Sequence, residues 1–441
     1  MAAQLLLGLS ILVGLHELGH LLTAKLFGMR VEQYYIGFPP KLFGFRYGET
    51  EYNLGAIPLG GFVKISGMVD ESLDTKTLSE EPEPWEFRSK PAWQRLIVMM
   101  GGIIVNVITG IVIFVILTYR YGDTYVPREA VLENGIVAYE LGQEIGLETG
   151  DKVLEVNGHS YDKFSDLFSP NVLLSDNGHY LVERNGKSVE VPIPRGFLDK
   201  FSEKEAADRF IDIRRPFSVG QVQAGSNAAK GGLKEGDRIL SINNQPVQYY
   251  DQFEAVKQAS KGKEVSLQVA NSSGEAEASV GTPRTLKVEV ADDGILGFIP
   301  EWRFDIARTE YTLAEALPKG AEAAFEVVWI NIRALGKIFS GDVSASKSIS
   351  GPIGIAQIFG GTWDWMRFWR ITGLLSMVLA FMNFLPIPAL DGGHVAFLTY
   401  EMVSGRKPSD KFLEGAQKVG MVLLLSLMVF AIFNDIFKVL F

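Results

Sequence analysis

The stretch LLLGLSILVGLHELGHLLTAKLFGM, residues 5–29, is long and apolar enough to cross a membrane, yet it contains two histidines and a glutamate. In a helix, His16 and His20 lie one turn apart on one face. That spacing lets both imidazoles reach one zinc ion, with Glu17 beside it to take a proton from water. The alternative is a pair of ordinary helical histidines, but ionisable groups inside a span are costly unless they pair or bind something.

Three further apolar stretches predict membrane spans at about 96–118, 371–395 and 419–438. Lysines and arginines concentrate after the first span and between the third and fourth spans. This distribution predicts cytoplasmic loops there, with both chain ends and the long segment between spans two and three outside the cytoplasm. The fold class expected is an α-helical membrane protein with about four transmembrane helices.

Composition limits the possible functions. The 441 residues suffice for two or three folded units. A formal net charge of -10 argues against a nucleic-acid partner, because phosphate binding needs a basic surface. The chain has no cysteine, so any metal must be held by nitrogen and oxygen ligands.

The long segment between spans two and three contains a repeat with an offset of 86 residues, from Leu147 to Leu233. The two copies read LETGDKVLEVN and LKEGDRILSIN. Each combines a Gly-Asp turn, an alternating apolar strand and a second turn at asparagine. This periodicity predicts two copies of one small domain, at about 123–205 and 206–300.

The repeated pattern resembles the bacterial PDZ domain, an α+β fold that often binds a peptide as an added strand. Alternatively, the copies act as spacers or steric filters with empty grooves. After them, segment 310–345 repeats apolar residues at helical spacing. It predicts an amphipathic connecting helix, either on the membrane surface or packed on protein. The charged residues 70–90 predict a solvated cytoplasmic loop.

A catalytic zinc needs a third protein ligand and an open position. Residues 383–394 read NFLPIPALDGGH, and Asp391 is their only carboxylate. The predicted topology places Asp391 near the cytoplasmic end of its span, at the same depth as the two histidines. Asp391 is therefore the candidate for the third ligand.

HELGH in the first span, LDGGH late in the third and PDZ-like copies between spans two and three resemble the site-2 protease family of intramembrane zinc metalloproteases. The resemblance covers nearly the whole chain. It implies that His16, His20 and Asp391 bind zinc, that Glu17 is catalytic and that Asn383 helps to hold substrate. For His394, three residues after Asp391, we expect a structural role rather than ligation.

Residues 57–64, IPLGGFVK, resemble the family's segment after the first span, where a membrane-embedded β-hairpin offers an edge strand. We expect this hairpin at about 32–66; a plain cytoplasmic loop is the alternative. An edge strand satisfies the backbone groups of an unwound substrate helix. The residues expected to contact substrate are Ile57, Pro58, Leu59, Gly60 and Gly61.

Two positions depart from the family's pattern. Family members often show Gly-Phe-Gly in the hairpin, where this chain has Gly37-Phe-Pro-Pro40. In span two, Gly102-x-x-x-Asn106 resembles the family's Gly-Pro-x-x-Asn, with Ile103 in place of proline. We interpret these small residues as suited to close helix packing.

The sequence thus predicts a multi-pass zinc endopeptidase of the bacterial inner membrane, with periplasmic PDZ domains and an active site near the cytoplasmic side. The implied partners are the lipid bilayer and single-span membrane proteins, such as a trimmed anti-sigma factor or a remnant signal peptide. The PDZ pair would exclude substrates with a large external domain. Two alternatives are an inactive substrate-holding relative, which would normally lack Glu17 or a ligand, and a metal transporter, which commonly shows repeated membrane halves.

Overall fold

The computed structural model describes residues 1–68, 81–201, 209–271, 282–344, 346 and 351–440. Most of the charged loop expected at 70–90 lies outside these residues. The chain divides into two compact units. The membrane unit comprises Met1–Gly122 and Glu310–Phe441, and the repeat unit comprises Asp123–Thr309.

Three helices of the membrane unit are long and apolar enough to cross a membrane, in agreement with three of the four expected spans. They are Ala2–Leu26, Ala92–Tyr121 and Lys411–Phe437, the last within the helix Asp410–Leu440. The second helix begins after Pro91, which lacks a backbone N–H, and ends at Gly122, whose φ of 63° is unfavourable for other residues.

The span expected at 371–395 is not one helix, which corrects that expectation. One helix runs from Trp365 to Phe384 and the next from Asp391 to Ser404. Pro386 and Pro388 lie between them. Because proline donates no backbone hydrogen bond and disfavours helical geometry in the residue before it, the helix cannot continue through this stretch. Neither helix is among the candidate spans found in the described residues.

The second helix lies at the centre of the membrane unit and contacts four others: Ala2–Leu26, Leu313–Ser340, Trp365–Phe384 and Asp391–Ser404. Glycines allow the closest approach. A Cβ at Gly19 would overlap the carbonyl oxygen of Gly101, so the first two helices meet backbone to backbone. Gly19 belongs to the His-Glu-Leu-Gly-His motif, so this contact lies within it.

The connecting helix predicted at 310–345 is present as Leu313–Ser340. Its small residues Ala316, Gly320 and Ala324 are buried, and the helix packs on the second helix. Leu317 and Trp329 are exposed. The helix is therefore amphipathic, with one face packed on protein and an apolar face that the described residues leave exposed. A short helix, Pro352–Ile358, and a 3-10 turn, Phe87–Ser89, complete the helices described in this unit.

The hairpin expected at 32–66 is formed by the strands Val31–Tyr47 and Thr50–Ile65. Its pairing is more extensive than that of a simple hairpin. Residues 33–36 pair with 51–54 on one side and with 61–64 on the other, while 43–47 pair with 50–54. The two long strands thus fold back into four segments, and 61–65 form an outer edge whose described partners lie on one side only.

The repeat unit contains two copies of one arrangement of strands. The first copy has Ile136–Ala138, Lys152–Val156, His179–Arg184, Lys187–Pro192 and Ile211–Ile213. The second has Phe217–Val222, Asp237–Ile242, Gln245–Pro246, Glu264–Asn271, Arg284–Glu289 and Phe298–Trp302. In each copy the first and last strands pair, and three intervening strands form an antiparallel sheet, to which the second copy adds Gln245–Pro246. The outer strands Asp123–Tyr125 and Ala307–Thr309 pair with each other.

Short helices connect these strands: Arg128–Asn134, Glu140–Glu144, Phe164–Phe168, Pro170–Leu173, Phe197–Phe201, Asn227–Lys230 and Tyr250–Gln258. Each copy has its own apolar core. Residues 86 positions apart occupy equivalent places in the two cores, as the pairs Leu147 and Leu233, Val153 and Ile239, and Leu167 and Phe253 show. The repeat in sequence is therefore a repeat in structure.

The Gly-Asp turn has the same construction in both copies. Asp151 and Asp237 are buried, and each carboxylate accepts a hydrogen bond of 2.8 Å from the backbone N–H three residues earlier. Each also forms an ion pair with an arginine of the same sheet, Arg184 in the first copy and Arg284 in the second. A buried carboxylate requires such partners, which explains why aspartate is repeated at this position.

Candidate metal centre and active site

His16, His20 and Asp391 converge from the first helix and from the start of the helix Asp391–Ser404. The two Nε2 atoms of the histidines are 3.2 Å apart. Asp391 Oδ2 lies 3.1 Å from His16 Nε2 and 3.4 Å from His20 Nε2. Tetrahedral zinc with ligands at 2.0–2.2 Å separates its ligand atoms by roughly 3.3–3.6 Å. The observed triangle therefore matches three corners of such a site and leaves the fourth open.

The chemistry of these three groups also fits a cation. Asp391 Oδ2 is buried beside the two histidine nitrogens, and no other donor is recorded for it among the described residues. A buried carboxylate with so few donors is costly, and a shared cation would remove that cost. In the described part of the chain, this is the one group of three or more histidine or carboxylate side chains close enough to hold a metal.

The second helix supports the two imidazoles. His20 Nδ1 lies 2.8 Å from the carbonyl oxygen of Val98, so it donates a proton there and leaves Nε2 free for a metal. His16 Nδ1 lies 3.1 Å from the side-chain amide of Asn106. Between them, Gly102 has no side chain, and a Cβ there would lie 2.5 Å from His20 Nε2.

Glu17 lies between the histidines and the edge segment of the sheet. A Cβ at Gly61 would be 3.3 Å from Glu17 Cγ, and the Glu17 carboxylate accepts a hydrogen bond from the Val63 backbone. Glu17 is only half-buried and lines the same cavity as the metal triangle. The acid–base group predicted from the sequence therefore faces both the metal position and the unpaired strand edge.

The alternation of backbone groups shows which residues face this open edge. Ser66 N–H donates to the Arg30 carbonyl on the paired side. Because successive residues of a strand point to opposite sides, Phe62 and Lys64 also bond to the paired side. The backbone groups of Gly61 and Val63 then point to the open edge.

The candidate site opens into a cavity of about 1050 Å³. Its walls include the metal triangle, Glu17, Asn106, Asn383 and the edge residues 60–65. Phe38 also lines it, with its ring packed over Gly60. A cavity of this size accommodates several residues of an extended peptide.

The structure places the other predicted site residues as follows. Asn383 Nδ2 lies 3.3 Å from His16 Nε2, directly beside the metal triangle. Gly60 and Gly61 line the cavity, whereas Ile57 and Pro58 are not among its lining residues. The Leu59 side chain lies outside the described part of the chain. His394 lines the cavity but is not part of the metal cluster found in the described residues.

Sequence reasoning missed the chemical position of Asn106, which it interpreted as a packing residue, and the edge residues beyond Gly61. A buried amide within a span was the available signal for Asn106, because membrane spans seldom bury polar side chains without a partner. No sequence signal distinguishes the open from the paired side of residues 61–65, since that depends on the pairing register.

A triangle of two histidines and an aspartate, with a glutamate beside it and apolar helices around it, defines the class of zinc metalloproteases with helices able to cross a membrane. The chain belongs to peptidase family M50, whose profile matches residues 4–427. The family expected from the sequence is thereby confirmed, and with it the assignment as a zinc metalloprotease.

Curated relatives match this chain over almost its full length. It is 31% identical to the regulator of sigma E protease of Haemophilus influenzae, over 98% of each chain. It is 28% identical to the regulator of sigma-E protease RseP of Salmonella typhimurium and 27% identical to the protease RseP of Yersinia pestis, each over 98% of this chain and 97% of the relative.

Proposed function

We propose that this metalloprotease hydrolyses peptide bonds within the membrane-spanning segments of single-span membrane proteins. One observation carries the proposal: the triangle of His16, His20 and Asp391 lies on apolar helices and opens into a cavity bordered by segment 61–65, whose partners among the described residues lie on one side only. A soluble protease does not need its metal ligands among helices able to cross a membrane, since such groups are costly there.

In this proposal His16, His20 and Asp391 hold the zinc ion and Glu17 is the general base. The zinc ion, when bound, polarises the scissile carbonyl and lowers the pKa of water. The Glu17 carboxylate takes a proton from the attacking water and passes it to the amide nitrogen of the leaving peptide. Water is thereby added across the C–N bond, which yields a carboxylic acid and an amine.

Asn383 is proposed to bind the substrate carbonyl. Its Nδ2 lies 3.3 Å from His16 Nε2, so its N–H can reach an oxygen that approaches the metal triangle. A donor placed where negative charge develops stabilises the transition state more than the bound substrate. The amide would thus orient the peptide bond and assist its cleavage.

The edge segment 61–65 is proposed to bind the unwound substrate as an added strand. A helical substrate must open before its peptide bond reaches the metal, and its freed backbone groups would lack partners in hydrocarbon. The backbone groups of Gly61 and the carbonyl of Val63 point to the open edge and can pair with them, whereas the Val63 N–H donates to Glu17. Because Val63 also contacts Glu17, a strand added there passes directly beside the proposed base.

We further propose that the break at 385–390 belongs to a fourth, interrupted crossing formed by Trp365–Phe384 and the start of Asp391–Ser404. Irregular backbone at membrane depth is tolerated where it lines a cavity, and Ala389, Leu390 and Asp391 all line the active-site cavity. The interruption would bring Asp391 to the level of the histidines. The loops after the first and third spans would be cytoplasmic, in a bacterial inner membrane.

The repeat unit is proposed to contain two PDZ domains that act mainly as a steric filter. In the second copy, rings join the helix Tyr250–Gln258 to the strand Phe298–Trp302. Tyr250 contacts Trp302 with a centroid distance of 5.2 Å, and Phe253 contacts Phe298 at 5.8 Å. A peptide added between this helix and this strand would have to displace them, which favours exclusion of bulky substrates over peptide binding.

The names of the relatives, regulators of sigma E, suggest an anti-sigma factor as one substrate class. Remnant signal peptides are the other class that we propose, because both are single spans once their external part is short. An inactive substrate-holding protein is disfavoured, since Glu17 and all three proposed ligands are present and correctly spaced.

The proposal is tested by Glu17→Gln in cleavage of a model single-span substrate reconstituted in liposomes. We expect cleavage to fall about 10²–10⁴-fold, the usual contribution of a general base, with zinc content unchanged. Glu49→Gln, the same change at an exposed turn position between the two long strands, is the control and should cleave normally. Undiminished cleavage by Glu17→Gln would refute the mechanism.

A further inference from the structure

The face of the second helix that contacts the metal ligands is formed by residues spaced four apart. Val98, Gly102 and Asn106 recur at this spacing, so they lie along one side of the helix. The carbonyl of Val98 accepts from His20, and Gly102 leaves room for both rings. Asn106 is the third member of this face and meets His16.

His16 needs a partner at Nδ1 if its Nε2 is to bind a metal. A neutral imidazole carries one proton, and a metal at Nε2 requires that proton to be on Nδ1. For His20 the Val98 carbonyl accepts this proton at 2.8 Å. For His16, the nearest polar group recorded at Nδ1 in the described part of the chain is the Asn106 amide at 3.1 Å.

Asn106 is placed to meet that need. Its side chain is almost fully buried, with 1% exposed, and its Oδ1 has no hydrogen-bond partner among the described residues. A half-turn of the amide exchanges Oδ1 and Nδ2 and breaks only the contact with His16. With Oδ1 turned towards His16, the amide accepts a proton from Nδ1.

We propose that Asn106 is a positioning residue of the metal centre: its amide oxygen accepts a hydrogen bond from His16 Nδ1–H and fixes the ring with Nε2 towards the ligand position shared with His20 and Asp391. This inference rests on the proposed function, because it requires His16 to bind the metal. Asn106 would then do for His16 what the Val98 carbonyl does for His20.

This role differs from a contact with substrate, although Asn106 also lines the cavity. A positioning residue changes metal affinity, since loss of such partners typically lowers affinity about 10–100-fold. A residue that only contacts substrate changes KM and leaves metal affinity unaltered. Zinc affinity without substrate therefore separates the two roles.

The experiment measures the zinc dissociation constant of the full-length protein in detergent by competition with a chelator. Asn106→Leu removes the acceptor and keeps a side chain branched at Cγ. Asn106→Ala removes the acceptor and leaves a small residue that favours the helix. Asn106→Asp restores an oxygen acceptor at the same place. Ser376→Ala is the matched control, because the Ser376 hydroxyl donates at 2.8 Å to the Asn106 backbone carbonyl and leaves its amide untouched.

We expect the Leu and Ala variants to bind zinc about 10–100-fold more weakly, and the Asp variant and Ser376→Ala to bind close to wild type. Wild-type zinc affinity in Asn106→Leu or Asn106→Ala would overturn the inference. So would an Asn106→Asp variant that binds zinc as weakly as the Leu and Ala variants do. Full zinc binding by His16→Ala would instead overturn the proposed ligand set. The two failures are thus distinguishable.

Discussion

Gly102→Ala tests whether the close approach of the second helix holds the metal ligands in place. An added Cβ would lie 2.5 Å from His20 Nε2 and 2.6 Å from His16 Cε1. Nonbonded heavy atoms normally approach to about 3.5 Å, so both rings would have to retreat by about 1 Å. Moving the helices apart would lose the close packing of their backbones at Gly19 and Gly101, the residues next to His20 and Gly102.

The size of the effect follows from that displacement. Metal sites tolerate ligand distances within about 0.2 Å, and a misplacement of about 1 Å costs a catalytic site on the order of 10²-fold in rate. We therefore expect zinc affinity and cleavage each to fall by at least about 10²-fold. The unfolding free energy should fall by at most about 2 kcal/mol, since overpacking costs about 1–3 kcal/mol and alanine returns about 1 kcal/mol of helix propensity.

The assay compares zinc affinity and cleavage in Gly102→Ala and Gly110→Ala. The second variant adds the same methyl group two turns further along the same helix, where it meets the flexible side chain of Met377. Because a thioether chain adapts easily, Gly110→Ala should bind zinc and cleave nearly as the wild type does. Equal zinc affinity in the two variants would refute the argument from close approach.

Three further outcomes are expected. Val63→Pro should keep the sheet and the zinc but reduce cleavage, because the backbone of Val63 points to the open edge. Lys64→Pro should destabilise the sheet, because the backbone of Lys64 bonds to the paired side. Cleavage and thermal unfolding distinguish the two variants. Asp237→Asn should lower the unfolding free energy of the repeat unit by about 1–3 kcal/mol, measured in denaturant. Hydrogen bonds from the Thr312 backbone and hydroxyl lower the pKa of Glu315 below its ordinary value of 4.5. The Glu315 carboxylate therefore stabilises the start of the connecting helix above pH 4.5, and this stabilisation is lost as the pH falls through the lowered pKa. Hydrogen exchange of the first turn of this helix at different pH values measures the loss.

Much of the site could be predicted because short motifs determine it. His16 and His20 meet through helix periodicity alone, and Asp391 was the one carboxylate in its stretch. The repeat was visible as a constant offset, and both copies contain the same buried aspartate. These features depend on local geometry, which can be predicted from the spacing of residues along the sequence.

The remainder depends on contacts between distant residues. Pro386 and Pro388 were visible, yet the apolar run around them favoured one span, whereas the structure has two helices. The long hairpin folds into four paired segments, and which segment pairs with which depends on the register. The alternation of apolar and polar residues does not determine that register. The contact between Asn106 and His16 could not be predicted, because it depends on how two helices pack. Helical periodicity shows which residues share one face of a helix, but not which helix that face contacts.

The most direct test of the metal centre is the zinc content of the purified wild type, Asp391→Ala and His394→Ala, measured by elemental analysis. Both side chains border the cavity three residues apart, but only Asp391 completes the triangle with His16 and His20. We predict one zinc ion per chain in the wild type and in His394→Ala, and its loss in Asp391→Ala. Wild-type zinc content in Asp391→Ala would contradict this account.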